Sequence, residues 1–183
     1  VCERVTRRVG KDVLIVKGGA FPAGAVLCGV DGSASSQRAC QAAANLAKAF
    51  SLPLELVSVY DPEFHRVAFN SLASMLSGDM KKMFSMDGQG KLHDDAIDTG
   101  LAKIYQGYLQ AAQKQVEAVG VAPQATLLAG KPSGSILQHS RFREISLAVL
   151  GRFGRHHVPD LDIGSATENV LRRAHCHVLV TAN

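Results

Sequence analysis

Gly151, Gly154, Gly164 and Ser165 stand at fixed offsets in GRFGRHHVPDLDIGS, between an apolar run, Ile145 to Leu150, and a helix-like segment, Ala166 to Ala174. Glycines spaced this way between a strand and a helix serve where the backbone must come close to something, most often a phosphate. Gly151 permits a tight turn, and Gly154 has no side chain to block a phosphate. Gly164 and Ser165 open the last helix, whose first N–H groups lack intrahelical acceptors and carry partial positive charge. Ser165 can cap that helix or donate its hydroxyl to a phosphate oxygen. Asp31, in VDGSASS, closes an earlier apolar run and offers a carboxylate to a ribose or an adenine amino group. On spacing alone, glycines that only turn the chain and an aspartate that only caps its helix remain an equal alternative.

Other chemistries find little support. There is no GxxxxGK followed by Ser or Thr, no GxGxxG after a strand, no HExxH and no GxSxG. His156 and His157 are adjacent, and His175 and His177 flank Cys176. Such neighbours point apart and have no acidic partner at ligand spacing, so no metal site is expected. Asp160 and Asp162 read as a solvated turn. His65 and His93 border a long insertion, and neither makes a convincing general base. No catalytic residue is assigned, and any nucleotide hydrolysis would be slow.

The elements that must position these residues alternate between short apolar runs and helical patterns. Ala25 to Val30, Pro53 to Tyr60, Gln124 to Ala129, Ile145 to Leu150 and His177 to Ala182 read as strands one to five. Ser33 to Phe50, Leu92 to Val119, Ser133 to Phe142 and Ala166 to Ala174 read as helices. This alternation implies parallel crossovers and an open α/β sheet with helices on both faces. In such sheets ligands bind beyond the carboxyl ends of the strands, where strand order reverses. Asp31 and the glycine loop would share that crevice if strands one and four are neighbours.

Two segments exceed this unit. Residues 61–100 hold all four methionines, Met75, Met80, Met83 and Met86, and read as a helical insertion after the second strand. It is either a cap whose methionines fill irregular packing or a lid or protein-partner surface. At the other end, CERVTRRVGKDVLIVK resembles TENVLRRAHCHVLVTA at a constant offset of 165 residues. Glu3, Val5, Arg7, Arg8, Val13 and Leu14 meet Glu168, Val170, Arg172, Arg173, Val178 and Leu179. Residues 1–24 are therefore read as the tail of a preceding repeat with its linker, followed by one domain over 25–183. An ordinary amino-terminal strand is the alternative.

The 183 residues suffice for one domain with a proper core. A net charge of +4 with 5% aromatic residues does not describe a nucleic-acid surface. No apolar run approaches the ~20 residues that span a membrane, and no secretory leader is visible. Cys2, Cys28, Cys40 and Cys176 form no CxxC pair and read as reduced thiols, which points to the cytoplasm.

The Gly151–Gly154–Gly164–Ser165 pattern resembles the ATP-binding motif of the universal stress protein family. VLCGVDGSASS is similar to that family's first strand and turn, and ATENVLRRAHCHVLVTA to its closing helix and strand. The resemblance implies a five-stranded parallel sheet of order 3-2-1-4-5, joined here by the extra amino-terminal strand. It implies that Asp31 and the backbone of Val59 hold the adenine-ribose end of ATP, ADP or AMP. It places Leu150, Gly151, Gly154, Gly164, Ser165 and Ala166 on the phosphate side, with Arg152 and Arg155 neutralising charge and Mg²⁺ accompanying the phosphates. It further implies pairing through the last strand, as a homodimer or an intramolecular pseudo-dimer in which Val13 to Val16 meets His177 to Val180. The expected role is a stress-response sensor or regulator. Two other functions stay open: a nucleotide-free interaction module using residues 61–100, and an adenylate-forming or nucleotide-cleaving enzyme, against which the missing SGGxDS-like turn argues.

Overall fold

The computed structural model describes residues 2–18, 24–63, 67, 90–155 and 162–182. The chain runs through α1 (Cys2–Arg8), β1 (Val13–Ile15), β2 (Ala25–Val30), α2 (Ala34–Phe50), β3 (Leu54–Tyr60), α3 (Gly90–Glu117), β4 (Gln124–Ala129), α4 (Pro132–Phe142), β5 (Ile145–Gly151), α5 (Ser165–Arg173) and β6 (His177–Thr181). The strands form one sheet of order β1-β6-β5-β2-β3-β4. All neighbours are parallel except β1, which runs antiparallel to β6. The expected order 3-2-1-4-5 is β4-β3-β2-β5-β6, and the extra strand lies where pairing with the last strand puts it.

Both faces of the sheet are covered, and the strand period of two divides its side chains between two cores. Val26, Cys28 and Val30 pack with Leu54, Leu56, Leu147 and Val149 beneath α2 and α3. Leu27 packs with Val57, Val59, Val178 and Val180 on the opposite face, with Ile136 of α4 and Val170 of α5. Helix α2 lies close to the sheet because its inner face is alanine: Ala39, Ala43 and Ala47 are fully buried. It starts at Ser33, whose side chain accepts from the Ser36 N–H, and stops at Ser51 in a left-handed conformation.

From β2 the chain turns to β3 and β4 on one side, then crosses back to β5 and β6 on the other. Strand order therefore reverses between β2 and β5, and a crevice opens beyond their carboxyl ends. The insertion reading concerns residues largely outside those described: Met75, Met80, Met83, Met86 and His65 lie there, as does the side chain of His93. His156, His157 and Asp160 also lie outside them.

Candidate functional site

The crevice is a cleft of about 280 Å³. Its apolar floor is Val57, Val59, Ile136 and Leu150. Gly29 belongs to this floor because a Cβ there would stand 2.6 Å from the Leu150 Cδ2.

One wall is the glycine loop, and long-range contacts explain its glycines. A Cβ on Gly151 would meet the Ser35 backbone and Oγ at 2.7 Å, so β5 can end against the start of α2 only as glycine. A Cβ on Gly154 would stand 2.7 Å from Asp31 Oδ2. Asp31 fastens both sides of the crevice: Oδ1 accepts from the Ser33 N–H at 2.9 Å and Oδ2 from the Arg155 N–H at 3.0 Å. Ser33 Oγ also donates to the Phe153 carbonyl, and the Phe153 N–H donates to Ser35 Oγ.

The loop returns to α5 through Gly164, whose N–H donates to the Arg152 carbonyl at 2.8 Å. Gly164 is the N-cap of α5 and supplies no side-chain cap. Ser165 is the first helical residue and is exposed, so it does not cap the helix as the sequence allowed. Among the described residues no side chain caps this first turn, and its residues Ser165, Ala166 and Thr167 belong to the cleft lining. Thr167 is turned back, donating to the Gly151 carbonyl at 2.8 Å.

Asp31, Val59, Leu150, Gly151, Gly154, Arg155, Gly164, Ser165 and Ala166 all line this one cleft. Arg152 does not. Its side chain is 6% exposed and runs behind the loop, donating to the Arg7 carbonyl at 3.1 Å and to the carbonyls of Val9 and Lys11. Buried away from the cleft, it is unsuited to neutralising a phosphate there. Arg155 sits with its guanidinium 4.8 Å above the Tyr108 ring.

Among the lining residues not anticipated from sequence, Tyr105 brings an aromatic ring. It enters from α3, edge-on to Tyr108 at 5.5 Å and tilted against Tyr60 at 6.2 Å. Burial pushes its phenol above the ordinary value, and the Asp31 carboxylate adds to the shift. Tyr105 and Tyr108 are one turn apart, so their shared helix face was the available signal. Gly32, at φ +77°, lies against the Tyr108 ring.

Residues 23–182 match the model of the universal stress protein family. The chain is 26% identical over 150 residues to a universal stress protein of Methanocaldococcus jannaschii, covering 82% of this chain and 76% of that protein. The universal stress protein UspA from Lactobacillus plantarum superposes with a TM-score of 0.64 at 21% identity, over 86% of this chain and 97% of its own. A universal stress protein solved in complex with cAMP superposes with a TM-score of 0.59, also at 21% identity, over 86% of this chain and 96% of its own. With the family model spanning nearly its whole length, the chain belongs to the universal stress protein family.

Proposed function

We propose that the chain binds an adenine nucleotide, ATP foremost with ADP and AMP as alternatives, and acts as a sensor or regulator through the conformation that binding imposes. The observation that carries this reading is the convergence of Asp31, the Gly151–Gly154 loop and the uncapped start of α5 on one cleft. The apolar floor with Tyr105 would take the base, Asp31 the ribose, and the α5 N-terminus with Ser165 the phosphates. The complex of a relative with cAMP supports a nucleotide of this kind. Mg²⁺ would travel with the phosphates. The reading assigns no turnover and sets the protein in the cytoplasm.

The test is mass spectrometry of small molecules released on denaturing the purified protein. An adenine nucleotide near one per chain is expected. An empty protein that also stays empty after incubation with ATP and Mg²⁺ contradicts the reading.

We also infer that residues 1–24 are the tail of a preceding repeat, so that β1 and β6 form an intramolecular pseudo-dimer. The register supports this. Val13 pairs with Val180, Leu14 with Leu179 and Ile15 with Val178. Under the 165-residue offset Leu14 corresponds to Leu179 itself, so the pairing is two-fold symmetric about that pair. The flanking bonds obey the same symmetry: Lys17 N–H donates to His177 Nδ1 at 3.0 Å, and Ala182 N–H donates to Asp12 Oδ1 at 2.7 Å. Lys17 corresponds to Ala182, and Asp12 to His177.

A further inference from the structure

We propose that Arg152 couples occupancy of the cleft to docking of the α1–β1 unit, making it a positioning residue rather than a phosphate ligand. This rests on the nucleotide reading of the cleft.

The juxtaposition lies within one residue. The backbone of Arg152 belongs to the cleft wall, since its carbonyl accepts from the Gly164 N–H at the start of α5. Its neighbours Gly151 and Phe153 line the cleft. Its side chain belongs to the other side of the loop, where the guanidinium gathers carbonyls from the end of α1 and the turn that follows: Arg7, Val9 and Lys11. A C-terminal helix end presents unsatisfied carbonyls and partial negative charge, which a buried guanidinium answers with several donors at once. The Arg152 Nε remains without a hydrogen-bond partner among the described residues. A cation held in this way, with one donor unmet, is sensitive to small displacements of the loop that carries it.

A ligand that fixes the Gly151–Arg155 loop from the front lowers the entropic cost of holding Arg152 behind it. The α1–β1 unit is then held more tightly. By reciprocity, loosening that unit weakens ligand binding by the same factor. α1 also touches α5 through the Arg7–Glu168 ion pair, but Glu168 is partly solvent-exposed and already paired with Arg172. Arg152 is a buried connection from this unit to the cleft loop.

Hydrogen exchange of the full chain, read by mass spectrometry with and without ATP and Mg²⁺, tests this. Peptides over residues 9–17 are expected to exchange about fivefold more slowly with ATP, the low end of ordinary allosteric linkage, together with protection over 151–155 and 163–167. In Arg152→Met, ATP should still protect 163–167 but no longer slow 9–17. In Asp12→Ala, which loosens β1 without touching Arg152, the slowing by ATP should persist from a faster baseline. Protection at 163–167 with no change over 9–17 in the parent chain overturns the coupling and leaves the nucleotide reading standing. No protection anywhere overturns the nucleotide reading itself, and the coupling falls with it.

Discussion

At the scale of single residues, the cleft depends on contacts across long stretches of chain. Gly154→Ala would push a methyl against the Asp31 carboxylate and displace the Arg155 N–H it accepts. Loss of one such charge-assisted bond costs about 1–3 kcal/mol. Chemical denaturation should show that loss, and titration calorimetry should show ATP binding at least about tenfold weaker, equivalent to ~1.4 kcal/mol. Ser165→Asp separates stability from binding. A carboxylate at the first position of α5 complements the helix dipole and stabilises by about 0.3–1 kcal/mol, yet it repels phosphate. An unchanged or higher melting temperature with weaker ATP binding is expected; equal affinity would show that the α5 start does not meet the phosphates. Tyr105 makes a pH prediction. Its phenol is raised in the folded protein, so the folded chain keeps a proton that the unfolded chain releases. Its contribution to stability is complete below the ordinary tyrosine value near pH 10 and is lost as pH rises above it. Denaturation at rising alkaline pH should show a decline that is smaller in Tyr105→Phe. The residue types at this site were legible, but their reasons were not. Spacing marked Gly151 and Gly154, whereas what excludes a side chain there is Ser35 and Asp31, more than a hundred residues earlier. Arg152 and Arg155 look alike in sequence, and only packing sends one behind the loop and the other over Tyr108.

At the scale of elements, sequence reading was strongest. Apolar runs located the strands to within a residue or two: β2, β3, β5 and β6 are buried along nearly their whole length and leave near-continuous apolar runs, whereas the edge strand β4 is partly exposed and still carries the apolar core of QATLLA. The order of those strands came from family resemblance, since periodicity says nothing of which strands pair. The long α3 was visible from its helical pattern, but its delivery of Tyr105 to the cleft depends on how it crosses β3. Two elements carry stability predictions. Helix α2 lies close to the sheet through Ala39, Ala43 and Ala47, so Ala43→Leu should overpack the core and destabilise by about 1–3 kcal/mol in urea denaturation. At the opposite end of the sheet from the cleft, the buried Glu55 of β3 is bonded to His139 at 2.7 Å and to Arg143 at 3.0 Å. Arg143 also reaches Gln124 of β4. Glu55→Ala removes the acceptor that ties α4 to the sheet. With Arg143 able to reach water, a loss of about 1–3 kcal/mol is expected without any change in ATP affinity.

At the scale of the whole molecule, the sheet continues from the last strand into β1, and its far edge leaves an apolar groove. Leu14 is 52% and Val16 72% exposed, and they border a cavity of about 260 Å³ with Leu46, Phe50 and Leu179. In the tandem reading a preceding repeat covers this groove. Among the described residues nothing further covers it, so self-association that rises with concentration is expected in sedimentation, and Val16→Lys should abolish it. The central claim is that the cleft between β2 and β5 holds an adenine nucleotide, and thermal denaturation with and without saturating ATP and Mg²⁺ tests it most directly. A ligand at about a hundred times its dissociation constant stabilises the native state by ~2.7 kcal/mol, which for a chain of this size raises Tm by roughly 5–10 °C. That rise is expected in the parent chain, and in Gly154→Ala, with binding about tenfold weaker, a rise only about half as large. An unchanged Tm in the parent chain would contradict the claim.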